Sequence, residues 1–550
     1  MSAEAVKALE AVDDVAHAYA GDVFHTPHYG QLEALHGCVI GVGADGDIKL
    51  LVYSSRAVWG EADDEDDARA TPGKLSEAER AAVLRALEEA GVLTTLPKGD
   101  RLFPGFIDTH VHAPQWPALG KRLHLPLNEW LQSSTFPAEA RFRDAAYART
   151  VCRDLVRTLL QHGTTTTLYF NSIHLEAGQV LVQECLRAGQ RAFVGKVSMD
   201  NKEENPPFYC EETAQGLRDV ETFLEWTRKT AADARPHAKR DTPPLVEPVV
   251  TPRFLPSCTD EMLTGLGKIA AKHGCMVQSH ASEGDWEVAY GAARFGETDA
   301  VVFDRFGLMR APAVMAHSVF LTDDDLKLYA ARGTGIAHCP LSNFFFADAS
   351  MLSRKAHEAG VSVGLGTDIA AGPSPSIWEA CRHSIVASRA LTSGVHPFKH
   401  GEERKTHGAS ISHFEAVYMA TMGGAKALGI ADHVGCFAVG RAFDAQLVRV
   451  AHAPGTDSPV VIWDDIDDTG DVFAKTVLGA DDRCVEAVWV QGRLVKGDAA
   501  RFGDAAIDPT HGITVAVRGD GGSGYDSGAS AGPRKGRSSS SSGGGGGRGG

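Results

Sequence analysis

The chain has 550 residues, and its hydrophobic fraction of 43% is typical of a folded globular protein. Acidic residues outnumber basic ones by 71 to 54, so the net charge of -17 disfavours a nucleic-acid partner. The ten cysteines lack metal-finger or disulfide-framework spacing, and no apolar run resembles a signal peptide or a membrane span, so we expect a cytoplasmic protein with reduced thiols and no membrane insertion.

The N-terminal segment is predicted to form strands. Apolar residues alternate between residues 22 and 55, with Asp45 and Gly46 at a hairpin turn. A GxGxxG string formed by Gly41, Gly43 and Gly46 lies in this segment. A dinucleotide-binding loop must open a helix, whereas this string leads into another strand, so we reject it as a cofactor site.

The central segment alternates short apolar runs with helical stretches, which predicts successive β/α units. Eight such runs suit a closed (β/α)8 barrel of the TIM type, with its active site at the C-terminal ends of the strands. A basic, proline-rich stretch at residues 228–244 is predicted to be a solvated loop before the fourth strand. The predicted strands span residues 103–112, 164–170, 192–199, 248–254, 276–282, 314–319, 335–340 and 363–368.

Alternation returns after residue 435, in the strings AQLVRV, VFAKTVLG and VEAVWVQGRLVKG. These runs are predicted to be strands that complete a small β-sandwich begun by the N-terminal segment. We therefore divide the chain into an N-terminal sandwich part (1–100), a hydrolase barrel (101–432) and a C-terminal sandwich part (433–512). Residues 513–550 are rich in Gly and Ser with few apolar side chains, which predicts a disordered tail.

A metal site is predicted where the barrel strands end. His110 and His112 are separated by one residue on the first strand, so both imidazoles face the barrel mouth. His280 ends the fifth strand and Asp368 the eighth, and barrel geometry brings these ends together. Three imidazoles and one carboxylate suit a catalytic Zn²⁺, one per chain, although Fe²⁺ or Mn²⁺ also binds such ligands.

Other polar residues near these strand ends are candidates for the chemistry. Glu283 follows His280 by three residues and is close enough to transfer protons between water and a substrate. His317 ends the sixth strand and is a candidate to orient the attacking oxygen. His174 and His338 are weaker candidates, and we assign a catalytic role to neither. His338 ends a barrel strand, and a hydrogen-bonded core histidine is the better explanation for it.

Several strings occur in the order found in guanine deaminases, between about residues 103 and 382. They are FPGFIDTHVHAPQW, NEWLQSSTFPAEARF, TTTTLYFNSIH, GKVSMD, VTPRF, QSHASE, AHSVFL, HCPLSN and GLGTDIAAGPSPSIWEA. The resemblance implies that Gln115 and Arg253 hold the purine and that Phe254 offers it a backbone N–H. An Arg fork suits the O6 and N7 acceptors of guanine, and an amide suits a mixed polar edge. The resemblance also suggests a homodimer.

The expected reaction is therefore the hydrolytic deamination of guanine to xanthine and ammonia. Asp368 and Glu283 would accept the proton of water that attacks C2, and Glu283 would deliver it to N3. The same machinery acting on another heterocycle, such as a pterin or a triazine, is an alternative, because fold does not name a substrate. A catalytically inactive barrel scaffold is the second alternative.

Overall fold

The computed structural model describes residues 1–60, 71–234, 243–310, 312–451 and 458–502. All of them belong to one compact unit, Met1–Val515. The predicted tail at 513–550 lies outside the described residues. Within the described ranges, no helix combines the length and the apolar content that crossing a bilayer requires.

The described part of the first hundred residues contains five strands and two α-helices, and a sixth strand follows directly. The strands are β1 (His17–His25), β2 (Leu32–Val42), β3 (Ile48–Val52), β4 (Ser55–Trp59), β5 (Leu93–Thr95) and β6 (Arg101–Pro104), and the helices are Ala3–Glu10 and Glu77–Glu89. A turn in which Gly46 has a φ of 83° joins β2 to β3, as the Asp-Gly pair predicts.

Eight parallel strands follow, and each pairs with the next in chain order. They are β7 (Phe106–His112), β8 (Thr164–Phe170), β9 (Arg191–Ser198), β10 (Val246–Pro252), β11 (Val277–Ala281), β12 (Ala313–His317), β13 (Thr334–His338) and β14 (Val363–Leu365). The backbone N–H of Asp368 donates to the carbonyl of His110, and that of His112 donates to the carbonyl of Ile369, which brings the first and last strands together. The predicted (β/α)8 barrel is confirmed.

Helices separate the barrel strands and cover the outside of the barrel. They are Ala145–Gln161, Leu175–Ala188, Thr213–Ala234, Asp260–His273, Asp285–Phe295, Asp299–Arg305, Asp323–Arg332, Pro340–Phe346, Ser353–Glu358 and Ile377–Ser393. Two short helices, Leu127–Trp130 and Phe136–Ala140, lie in the connection after β7. Shorter or later helices span Gly401–Arg404, His413–Tyr418, Gly424–Ala427, Thr469–Gly479 and Ala499–Phe502.

The C-terminal strands are β15 (Ala445–Val448), β16 (Val485–Val490) and β17 (Arg493–Lys496). They join the N-terminal strands in a nine-stranded sheet in which β15 pairs with β6. Tyr19 from the N-terminal end packs against Phe443 and Trp489 from the C-terminal end, with ring centroids 5.2 and 5.1 Å apart. The second β structure is therefore built from both chain ends, as predicted.

Three predicted segments differ from the structure, and two of them contain a helix that was not predicted. VFAKTVLG is not a strand but part of the helix Thr469–Gly479, which Asp468 and Asp471 begin with a reciprocal capping box. Its buried residues, which include Phe473 and Val477, are spaced as on one face of a helix. The apolar run in the sequence is too short to distinguish this helical period from the period of a strand. The loop predicted at 228–244 is wrong for its first seven residues, because the helix Thr213–Ala234 extends through them. Residues 235–242 of that prediction lie outside the described residues.

The predicted first barrel strand is in fact two strands that belong to different sheets. The chain leaves the nine-stranded sheet after Pro104 and enters the barrel at Phe106, so Gly105 lies at the junction. A Cβ atom on Gly105 would lie 2.2 Å from Oγ1 and 2.3 Å from Cγ2 of Thr165. This close approach explains why glycine is required there.

We expect Gly105→Ala to lower the free energy of unfolding by about 1–3 kcal/mol, because the added methyl group forces Thr165 or the backbone to move. Urea unfolding measures this difference. Gly401→Ala is the matched control, because the atom nearest to its Cβ is 3.9 Å away and its stability should change little. Equal stability of the two variants would show that the junction tolerates a side chain.

Candidate active site

The predicted metal ligands meet at one end of the barrel. His110 and His112 lie on β7, His280 lies on β11, and Asp368 follows β14 directly. All four are buried, with exposed fractions of 6% or less. Asp368 has a φ of 50°, in the left-handed region that residues other than glycine rarely adopt, and such strained backbone is typical of functional sites.

The distances between these side chains are short. Nε2 of His112 lies 3.0 Å from Nε2 of His280. Oδ1 of Asp368 lies 3.2 Å from Nε2 of His110 and 3.6 Å from Nε2 of His112. Three nitrogens and one carboxylate oxygen therefore converge on a common point.

The residues present fit a divalent metal ion. Ligand atoms of His110, His112 and Asp368 lie within 4.8 Å of one another, as do those of His110, His280 and His317. Burial, followed by neighbouring positive groups, holds the pKa values of His110, His112 and His280 well below their usual range, so these imidazoles are neutral, as metal binding requires. Among the described residues, none makes a hydrogen bond of acceptable geometry to Nε2 of His110, although Oδ1 of Asp368 lies 3.2 Å away.

Hydrogen bonds fix the orientation of two imidazoles. Nδ1 of His280 lies 2.6 Å from the carbonyl oxygen of Arg253, which only accepts, so His280 directs the lone pair of Nε2 into the cluster. Nδ1 of His317 lies 3.0 Å from Oδ1 of Asn343. Asn343 is part of the string HCPLSN, and no signal in the sequence singles it out as the partner of His317.

Two carboxyl groups lie beside His317. Oε2 of Glu283 and Oδ2 of Asp368 lie 3.7 and 3.9 Å from its Nε2. Burial and the neighbouring Asp368 raise the pKa of Glu283 to about 8, and burial raises the pKa of Asp368 to about 6. A carboxyl group in such surroundings is suited to carry a proton near neutral pH.

A cavity adjoins the cluster. The predicted substrate contacts Gln115, Arg253 and Phe254 line it together with Glu283 and His317. The rest of its wall is formed by His112, Leu127, Trp130, Leu131, His280, Asp368 and Ala371. The backbone N–H of Phe254 donates to Oγ of Ser257 over a long 3.4 Å, so this N–H is weakly engaged.

Glu139 is a buried residue that sequence reasoning missed. Its Oε1 accepts from Nε2 of Gln115 at 2.8 Å, and its Oε2 accepts from an Nη of Arg253 at 2.7 Å. Glu139 lies in the short helix Phe136–Ala140 rather than at the end of a barrel strand. Glu139 lies within NEWLQSSTFPAEARF, one of the strings that resemble guanine deaminases, and this was the only sequence feature that pointed to a functional role for it.

The two weaker histidine candidates do not line the cavity. His338 ends β13 and is buried, and burial followed by His317 lowers its pKa to about 3. His174 precedes the helix Leu175–Ala188 and is partly buried. Neither lies among the cavity residues, which agrees with structural roles for both.

The chain is similar to known proteins over most of its length. The sequence profile of the Amidohydrolase family matches residues 101–495. A guanine deaminase of Dictyostelium discoideum is 34% identical over 481 residues, which cover 87% of this chain and 98% of that protein. A probable guanine deaminase of Schizosaccharomyces pombe is 36% identical over 483 residues, with coverages of 87% and 83%. The crystal structure of a guanine deaminase from C. acetobutylicum with bound guanine matches with a TM-score of 0.69 and 27% identity, over 87% of this chain and 99% of that one.

Proposed function

The chain belongs to the amidohydrolase family and, within it, to the guanine deaminases, and on this premise we propose that it hydrolyses guanine to xanthine and ammonia. One observation carries the proposal. One cavity is bordered by three of the four proposed metal ligands, by the acid Glu283 and by the purine-reading pair Gln115 and Arg253; the three ligands are His112, His280 and Asp368.

His110, His112, His280 and Asp368 hold one zinc ion in this proposal. Nitrogen ligands with one carboxylate are the set that catalytic zinc sites use. When bound, zinc supplies a Lewis acid that lowers the pKa of water to about 7, so that water can attack at neutral pH. Because the proposed ligand set contains no thiolate, Fe²⁺ and Mn²⁺ can compete with zinc for it.

Arg253 and Gln115 orient the base so that C2 faces the cluster. The guanidinium offers parallel N–H donors to O6 and N7, which lie on one edge of guanine. Adenine has N7 but lacks the O6 acceptor. Gln115 pairs with a neighbouring polar edge of the ring, and the backbone N–H of Phe254 is a further donor. Holding the ring in this way brings water and C2 together without a further loss of entropy.

Glu283 and Asp368 handle the protons of the reaction. They take the first proton from the attacking water, and Glu283 passes it to N3 of guanine as the bond from the water oxygen to C2 forms. The second water proton leaves the new hydroxyl group on C2, and Glu283 passes it to the amine, so that the C2–N bond breaks, ammonia leaves and C2 becomes a carbonyl. His317 lies within 4 Å of both carboxyl groups and orients the attacking oxygen. One guanine and one water give one xanthine and one ammonia.

The decisive experiment is incubation of the purified, zinc-loaded protein with guanine. Xanthine is followed by its absorbance and ammonia by a coupled assay, and both should appear in equal amounts. Adenine, a pterin and an aminated triazine serve as comparison substrates. Faster turnover of one of these, or no turnover of any, would contradict the proposal.

We expect about one zinc ion per chain in protein purified without added metal, because four suitable ligands converge. Elemental analysis measures it. His280→Ala should lose most of the metal, whereas His174→Ala should keep it, because His174 lies outside the cluster. Full occupancy in His280→Ala would remove His280 from the ligand set, and another metal in place of zinc would correct the metal assignment.

A further inference from the structure

We propose that Glu139 is a positioning residue that gives the cavity its preference for a 6-oxopurine. This inference rests on the proposed function, because it concerns how Gln115 and Arg253 meet the base. Glu139 is completely buried, and each of its oxygens accepts a hydrogen bond from one of these two residues. It therefore joins the two purine-reading side chains through a single carboxylate.

The orientation of the Gln115 amide follows from its two neighbours. Nε2 donates to the carboxylate of Glu139 at 2.8 Å, and Oε1 accepts from the backbone N–H of Ala370 at 3.0 Å. An ionised carboxylate only accepts and a backbone N–H only donates, so the amide cannot be reversed. One N–H of Gln115 and one lone pair on its oxygen remain for the base.

The guanidinium of Arg253 is held from two sides. One of its nitrogens donates to Glu139 at 2.7 Å, and its centre lies 5.0 Å from the ring of Phe136. Phe136 and Glu139 are three residues apart in one helical turn, so they share a face of that turn. The other N–H groups of the fork remain available along the cavity wall, in a plane that Glu139 sets.

Glu139→Gln should therefore disturb the orientation of both Gln115 and Arg253. The new amide can accept from Arg253 through its oxygen, but its NH₂ then faces the NH₂ of Gln115. Reversing Gln115 to relieve that conflict would place its NH₂ against the N–H of Ala370. Every arrangement leaves a buried donor facing a donor, so the substitution perturbs the base-reading surface while leaving the metal ligands untouched.

Binding of two bases without a 2-amino group measures this effect independently of turnover. Hypoxanthine carries O6, purine lacks it, and calorimetry on the zinc-loaded protein gives their Kd ratio. The wild type should favour hypoxanthine, and Glu139→Gln should reduce that preference about tenfold with zinc content unchanged, as expected for the loss of one well-oriented hydrogen bond. An unchanged ratio would overturn the inference.

A double variant that combines Gln115→Glu with Glu139→Gln separates positioning from folding. The amide introduced at position 139 donates to the carboxylate introduced at position 115 and accepts from Arg253, and that carboxylate accepts from Ala370, so all internal contacts return. We expect the melting temperature to recover while the preference for hypoxanthine does not, since position 115 no longer offers an N–H to the base. Recovery of both the melting temperature and the preference for hypoxanthine would show that Glu139 has only a structural role.

Glu139→Asp keeps the charge but is one methylene too short to bridge both partners. It should fold and reduce the hypoxanthine preference, and it replaces Glu139→Gln if that variant does not fold. Guanine turnover by the wild type is measured beside these variants. Its absence would contradict the proposed function, whereas a wild-type base preference in Glu139→Asp with guanine turnover intact would contradict only the role of Glu139.

Discussion

Glu283→Gln should lower kcat for guanine by roughly a hundred- to ten-thousand-fold while the protein stays folded and keeps its metal, since this is the range for loss of a general acid–base group. The amide preserves the shape of the side chain but cannot carry a proton. The side chain of Glu283 lies 3.7 Å from His317 and outside the proposed ligand set, so the ligand geometry should survive. The hydrogen bond that the backbone N–H of Glu283 donates to Glu287 at 2.7 Å also remains in place.

Asp285→Asn is the matched control for that variant. Asp285 is exposed in the first turn of the helix that begins two residues after Glu283, so neutralising it should leave both stability and kcat nearly unchanged. Steady-state kinetics, metal analysis and melting temperature are compared for both variants. Wild-type turnover by Glu283→Gln would show that Glu283 is only a structural acid and that protons move by another route.

The barrel and the centre of its site could be predicted because their signals are local. A strand's period of two places His110 and His112 on one face, and parallel strands carry their C-terminal ends to one mouth. The convergence of His280, His317 and Asp368 can therefore be predicted without information on side-chain packing. The structure brings all five together as this reasoning requires.

The features that were missed depend on tertiary contacts. Glu139 belongs to a five-residue helix in a long connection, where no strand period indicates which way a side chain points. The helix Thr469–Gly479 was predicted as a strand because a short apolar run is too brief to separate the two periods. The boundary between β6 and β7 at Gly105 depends on how closely Thr165 packs against Gly105, and only the packed structure reveals this contact.

Arg253→Ala should reduce kcat/KM for guanine about thirty- to a thousand-fold, through loss of about 2–4 kcal/mol of transition-state binding. Arg253 is buried at the cavity wall and lies outside the proposed ligand set, so metal content should not change. The variant also leaves Glu139 as a buried carboxylate without its cation. Breaking a buried pair costs about 3–5 kcal/mol, so the melting temperature should fall as well.

Arg253→Lys distinguishes the loss of base reading from the loss of charge. An ammonium can still neutralise Glu139, so much of the stability should return, but a point charge cannot reproduce the planar fork toward O6 and N7, and guanine turnover should recover only in part. Arg332→Ala is the control, because Arg332 forms an exposed ion pair with Asp304, and the loss of such a pair should change neither turnover nor melting temperature appreciably. If both Arg253 variants kept the wild-type kcat/KM, Arg253 would not read the base. The assignment to guanine would then rest on Gln115 and family membership, and pterins and triazines would become the substrates to test first.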